Sequence, residues 1–157
     1  MNMKKVLLLL IKIVVGLFVI FLIVGFVRTW QVGRDPLNMA FRAGTVPSPA
    51  LDGPYRGSVP GHSVSWLGKK MKAADNAGIN VFFDGDKYPF ATSVGAGLRD
   101  TDIQVLQIKY DVPGNPWWLR LVLDEMVQVA PSKYLGKVNI RIVPGAPFTL
   151  GYFELEK

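Results

Sequence analysis

Few residues in this sequence have the type and spacing to do chemistry, and most of them are single. His62, in the run PGHSV at 60–64, is the one histidine among 157 residues. It could act as a general acid or base or touch a ligand. A nucleophilic triad would need it beside one of Ser48, Ser58, Ser63, Ser65, Ser93 or Ser132 and a carboxylate. No G-x-S-x-G elbow selects a serine, so an ordinary loop histidine is the plainer reading. One histidine and no cysteine exclude histidine metal clusters, disulfides, thiol catalysis and thiolate or iron–sulfur centres. Asp84, Asp86, Asp100 and Asp102 form two close acidic pairs. They lack the twelve-position calcium loop, and D-G-D is a common turn, so no metal is expected. Neither a phosphate-binding nor a dinucleotide glycine motif surrounds Gly95 and Gly97, and no cofactor is expected.

Two features point to binding rather than catalysis. Glu125 stands in an apolar register between Leu123 and Val127. Either a strand end turns it to water, or it is a polar anchor in a ligand cavity, where its carboxylate must find a cation or a hydroxyl. Lys109, Arg99, Tyr110 and Tyr134 are the candidate partners. Trp117 and Trp118 follow Asn115-Pro116 at a strand start. Adjacent strand side chains diverge, so one indole is free to meet a membrane, a ligand or a protein. Arg120 and Asp124, with Lys137 and Arg141 on the next strand, read as cross-strand ion pairs on a wet face.

The elements that must position these residues begin with residues 6–27, VLLLLIKIVVGLFVIFLIVGFV, interrupted only by Lys12. A helix of that length crosses the roughly 30 Å hydrocarbon layer. Lys12 lies near enough to one edge to extend its ammonium to the headgroups. The run is too long for the core of a cleaved signal, and Arg28-Thr29-Trp30-Gln31 behind it reads as an interfacial flank. Residues 1–28 are therefore expected to be a single-pass anchor in the cell membrane. Lys4, Lys5, Lys12 and the amino terminus on one side, against Arg28 and Arg34 on the other, favour a cytoplasmic N-terminus and an extracytoplasmic domain. Of eighteen Lys/Arg, those five precede Asp35, leaving thirteen against all twelve Asp/Glu. The net charge of +6 thus belongs mainly to the anchor and argues against a nucleic-acid partner.

Residues 29–61 hold five prolines and five glycines and read as a linker. Residues 62–157 form the folded domain. The stretch 66–76 has helical spacing of Trp66, Met71 and Ala74, with Gly78 as a stop, and predicts a short solvated helix. Strand patterns follow at 79–83 and 103–112, then clean two-residue alternation at 119–129 and 134–143, and a last strand through Phe148, Leu150 and Tyr152. The apolar rows are assigned to the core: Leu119, Leu121, Leu123, Glu125, Val127 and Val129 on one strand, Tyr134, Gly136, Val138, Ile140 and Ile142 on the next.

The expected fold is mostly β: one transmembrane helix, then a small antiparallel β-barrel or β-sandwich with one short helix. An α+β domain with the 66–76 helix over an open sheet is the alternative. Its layout resembles that of small lipophile-binding barrels, a likeness of architecture that carries over no site. The function expected is binding of a lipid or other hydrophobic small molecule at the membrane, through Glu125, Trp117, Trp118, Tyr134, Tyr110, Lys109 and His62. The alternative is an accessory subunit of an integral membrane assembly with Trp117 or Trp118 at the contact. A small hydrolase or isomerase built on His62 is a third, weaker reading.

Overall fold

The computed structural model describes residues 3–157, so the amino terminus counted above lies outside the described residues. One long apolar helix leads into an antiparallel β-barrel, closed by eight strands among the described residues, with a single short helix on its wall. The long helix, α1, runs from Met3 to Gly33. Its 31 residues measure about 46 Å at the α-helical rise, more than a bilayer core needs. The surplus at its C-terminal end packs on the domain, burying Gly25, Thr29 and Val32. Asp35 then caps α2 (Pro36–Ala43), its side chain accepting from Leu37 N at 2.9 Å with proline at the first helical position.

The strands are β1 (Gly53–Ser58), β2 (Trp66–Lys72), β3 (Ala77–Phe82), β4 (Gly85–Ala96), β5 (Gln104–Lys109), β6 (Val122–Ala130), β7 (Lys133–Val143) and β8 (Ala146–Glu156). Each pairs with its neighbour in sequence, and β1 closes on β8 through Arg56↔Glu156, Gly57↔Leu155 and Ser58↔Glu154. Closure removes exposed sheet edges. Both α2 and β1 come from the Pro/Gly-rich stretch.

The expected helix at 66–76 is instead β2 followed by a 3-10 turn at Ala73–Asp75. Gly68, at φ +139°, sits in a bulge where a side chain would strike the Tyr55 carbonyl. Pairing on both sides, to β1 and β3, overrides a weak helical spacing.

The apolar row of β6 also faces the other way from the expectation. Met126 joins the interior cluster with Tyr110 and Phe153, whereas Val127 joins Val32, Phe41 and Tyr152 on the outside of the wall. The reason is that α1 and α2 cover that wall, so five consecutive residues, Leu123 to Val127, are buried. The loop between β4 and β5 folds back over the same wall. Asp100 bridges Arg42 of α2 and Lys137 of β7, the latter at 2.5 Å. Lys137 also donates to Asn38 at 2.8 Å and lies over the Phe41 ring.

Partial burial pushes the Asp100 carboxyl up, but hydrogen bonds and charge from Lys137 and Arg42 outweigh it and hold the group below its ordinary value. With the folded value depressed, this stabilisation is complete above about pH 4, the range of an unfolded aspartate, and is lost as pH falls through the lower folded value. Thermal melts across that acid range should show Asp100→Asn less stable than the parent at neutral pH, with the gap closing towards low pH.

Candidate functional site

Inside the barrel, β2 carries Lys69 with 2% of its surface exposed. Three acceptors surround its ammonium: Asn80 Oδ1 of β3 at 2.8 Å, Tyr110 Oη at 2.5 Å and Asp124 Oδ2 of β6 at 3.1 Å. The rings of Phe90, Tyr110, Phe153 and Trp66 stand 4.9 to 5.5 Å from the nitrogen. Burial pushes the Lys69 pKa down, and the charge and hydrogen bond of Asp124 offset part of the effect. Burial, then the charge of Asp124, hold the Tyr110 phenol well above its ordinary value, so it stays protonated and donates to Asp124 Oδ2 at 2.9 Å.

The side-chain donors of Lys69, Asn80, Tyr110 and Trp66 are all used. Asn80 Nδ2 donates to Tyr88 O at 3.0 Å and to Tyr110 Oη at 3.2 Å, and Trp66 Nε1 donates to Asn80 Oδ1 at 3.1 Å. Both hydrogen bonds that Asp124 accepts from the described residues, by contrast, end on Oδ2, which leaves Oδ1 for another donor. A net-neutral polar floor with one spare acceptor results.

Above this floor lies an open cavity of about 360 Å³ with a nearly apolar wall. Val59 and Val64 come from the β1–β2 connection, Phe82 and Tyr88 from either side of the β3–β4 turn, and Trp118 and Val122 from the approach to β6. Asn115 fastens the long β5–β6 connection, donating to Pro89 O and Tyr110 O, each at 2.8 Å. Trp118 meets Tyr88 edge-on. Such a space suits a small hydrophobic molecule. A polar cleft of about 510 Å³ lies outside the wall between α1 and the folded-back loop, but its Lys137 and Asp100 are committed to each other, which makes it a structural joint.

Of the residues singled out from sequence, Tyr110 and Trp118 meet at this cavity, whereas Trp117, next to Trp118 in the chain, does not line it and is 76% exposed. His62 lies exposed in the β1–β2 connection, its backbone N–H donating to Val59 O. Lys109 ends β5, half-buried on the wall, and Tyr134 packs edge-on against Tyr55 in the interior; neither lines the cavity. Glu125 is buried on the outer wall, accepting from the Leu98 N–H and from Asn139 Nδ2. Burial pushes its pKa up, with those two hydrogen bonds opposing the shift. The expected ion pairs on the wet face are replaced. Asp124 pairs inward with Lys69 and Lys137 with Asp100, while Arg120 Nε donates to Asn115 O and Arg141 to Arg120 O. Sequence reasoning missed Lys69, Asn80 and Asp124; the available signal was that Asp124 shares its face with Val122 and Met126, and Lys69 with Met71.

No protein-family model and no curated protein matches the chain. A crystal structure of a protein from Thermomonospora curvata is similar to it at 18% identity, over 78% of this chain and 87% of that one, with a TM-score of 0.47.

Removing one member of the buried pair should be worse than removing both. Lys69→Met strands the Asp124 carboxylate and should lose roughly 3–5 kcal/mol, whereas Lys69→Met with Asp124→Leu should recover most of it. Denaturant titration of the three variants in detergent checks this as a double-mutant cycle.

Proposed function

We propose that this membrane-anchored barrel binds a lipid or other hydrophobic small molecule in the cavity above Lys69 and Asp124. One observation carries the reading: an open apolar space ends on a buried polar floor whose donors are all occupied and whose Asp124 Oδ1 is free to accept. The chemistry favours a neutral amphiphile with a hydroxyl or amide N–H at its head. A carboxylate or phosphate would find no side-chain donor on the floor and would face Asp124. On the positive-inside bias of Lys4 and Lys5, the domain sits on the extracytoplasmic side of the cell membrane.

A second reading, an accessory subunit of a membrane assembly, is supported by Trp117, which is exposed and could dock on another protein. Native mass spectrometry after gentle detergent extraction separates the two: a small-molecule adduct supports the first, a stoichiometric protein partner the second.

Hexadecanol should bind the detergent-solubilised full chain more tightly than hexadecanoate, measured by displacement of a fluorescent long-chain alcohol. Val122→Phe, which fills the cavity, should lose binding of both while keeping the parent's strand-rich circular dichroism spectrum. Equal or tighter binding of the carboxylate would overturn the assignment of the head group.

A further inference from the structure

The two ends of the barrel are chemically different, and α1 sets which of them meets the membrane. α1 and β8 lie side by side and run in the same sense. Gly25 is packed so closely on the Phe148 ring that a Cβ there would lie 2.7 Å from it. Further along both elements, Thr149 N donates to Thr29 Oγ1 at 2.9 Å, and Tyr152 Oη donates to Val32 O at 3.3 Å. Descending β8 towards Ala146 is therefore descending α1 towards its membrane span. Phe21 and Phe26, both within the apolar run, meet Phe148 edge-on with centroids 6.1 and 5.0 Å away. The β7–β8 hairpin thus reaches the depth at which the apolar span ends.

In an up-and-down barrel alternate connections share an end, so the β1–β2, β3–β4 and β5–β6 connections lie with that hairpin. These are the connections that frame the cavity. Each also exposes apolar side chains: Val64 on the first, Phe83 at 87% exposure on the second, Trp117 at 76% and Trp118 at 48% on the third. The first two are joined by a hydrogen bond from Phe83 N to Ser65 O at 3.0 Å, which makes one rim of them. The turns β2–β3 and β6–β7 at the opposite end instead present Asp75, Asn76 and Ser132, while the β4–β5 loop there folds back along the wall, pairing Asp102 with Arg42 of α2.

From these placements we infer that the barrel mouth rests on the bilayer, with Phe83 and Trp117 seated at the boundary between headgroups and acyl chains. Indole and phenyl groups favour that layer, and the depth fixed by Gly25 and Phe148 puts the rim there. Resting on the binding reading above, the consequence is that a ligand passes between bilayer and cavity without crossing water.

The chain contains no cysteine, so single nitroxide labels can be introduced through Phe83→Cys, Trp117→Cys and, at the opposite end, Ser132→Cys. The full chain is placed in phosphatidylcholine nanodiscs and each label's collision rates with oxygen and with a water-soluble nickel chelate are measured. Labels at positions 83 and 117 should collide preferentially with oxygen, and the label at 132 with the chelate. Positions 83 and 117 as aqueous as 132 would overturn the inference, as would protection from both reagents by a co-purifying protein. Native mass spectrometry of the same samples reads cavity occupancy separately. Lipid-facing rim labels on an empty barrel uphold docking and sink the ligand reading, and water-facing labels on a loaded barrel do the reverse.

Discussion

An ammonium ion enclosed by a barrel must be surrounded by acceptors, and the need to satisfy Lys69 organises the rest of this domain. Desolvating that charge would be prohibitive alone; Asn80, Tyr110 and Asp124 make it tolerable by accepting its three hydrogens. Those partners come from β3, the end of β5 and β6, so the charge ties the neighbouring pair β2 and β3 across the barrel to β5 and β6. The same satisfaction exhausts the donors at the cavity floor and leaves an acceptor. Stability and the head-group preference proposed for the cavity thus have one source.

The outer wall solves a parallel problem. Most of a small barrel's exterior can be wet, but here α1 and α2 dry out the wall formed by β6, β7 and β8. Polar groups on that wall are then as buried as those inside: Glu125, Asn139 and Thr149 form a chain in which Asn139 donates to Glu125 at 3.1 Å and accepts from Thr149 at 2.7 Å. Lys137 and Asp100 form a second group nearby. Sealing the wall in this way joins a membrane helix to a barrel without a flexible tether between them.

Much of this architecture could be read in the amino-acid sequence, and the misreadings share one physical origin. The apolar run at 6–27 and the alternation after residue 119 are strong local periodicities, and they led to the anchor and the antiparallel strands. Alternation distinguishes two faces but does not say which is inside. On β7 the apolar row Tyr134, Gly136 and Val138 does point inward; on β6 it points outward beneath the helices, which moved Asp124 into the interior and Glu125 out of it. Lys69 and Asp124 are 55 residues apart, so no local pattern could join them. Tyr110 stood out as a partner for Glu125 and pairs with Asp124 instead, because the two carboxylates lie on opposite faces of β6; Trp118 stood out as one of two diverging indoles, and it is the one that lines the cavity. The strand at 66–72 was hidden because its hydrogen bonds come entirely from other segments.

β8 has two duties: it closes the barrel on β1 and it holds the exit of α1 through Phe148, Thr149 and Tyr152. Of the eight strands among the described residues it is the one furthest along the chain from β1, its partner across the seam. In synthesis α1 precedes every strand of the barrel, and the free edge of β1 waits for a partner about a hundred residues further on. Ring closure and docking against α1 both wait for the same strand, so the two are achieved together. A variant unable to place β8 would keep an open sheet with β1 and β7 bare at its edges and an α1 exit with no wall to rest on.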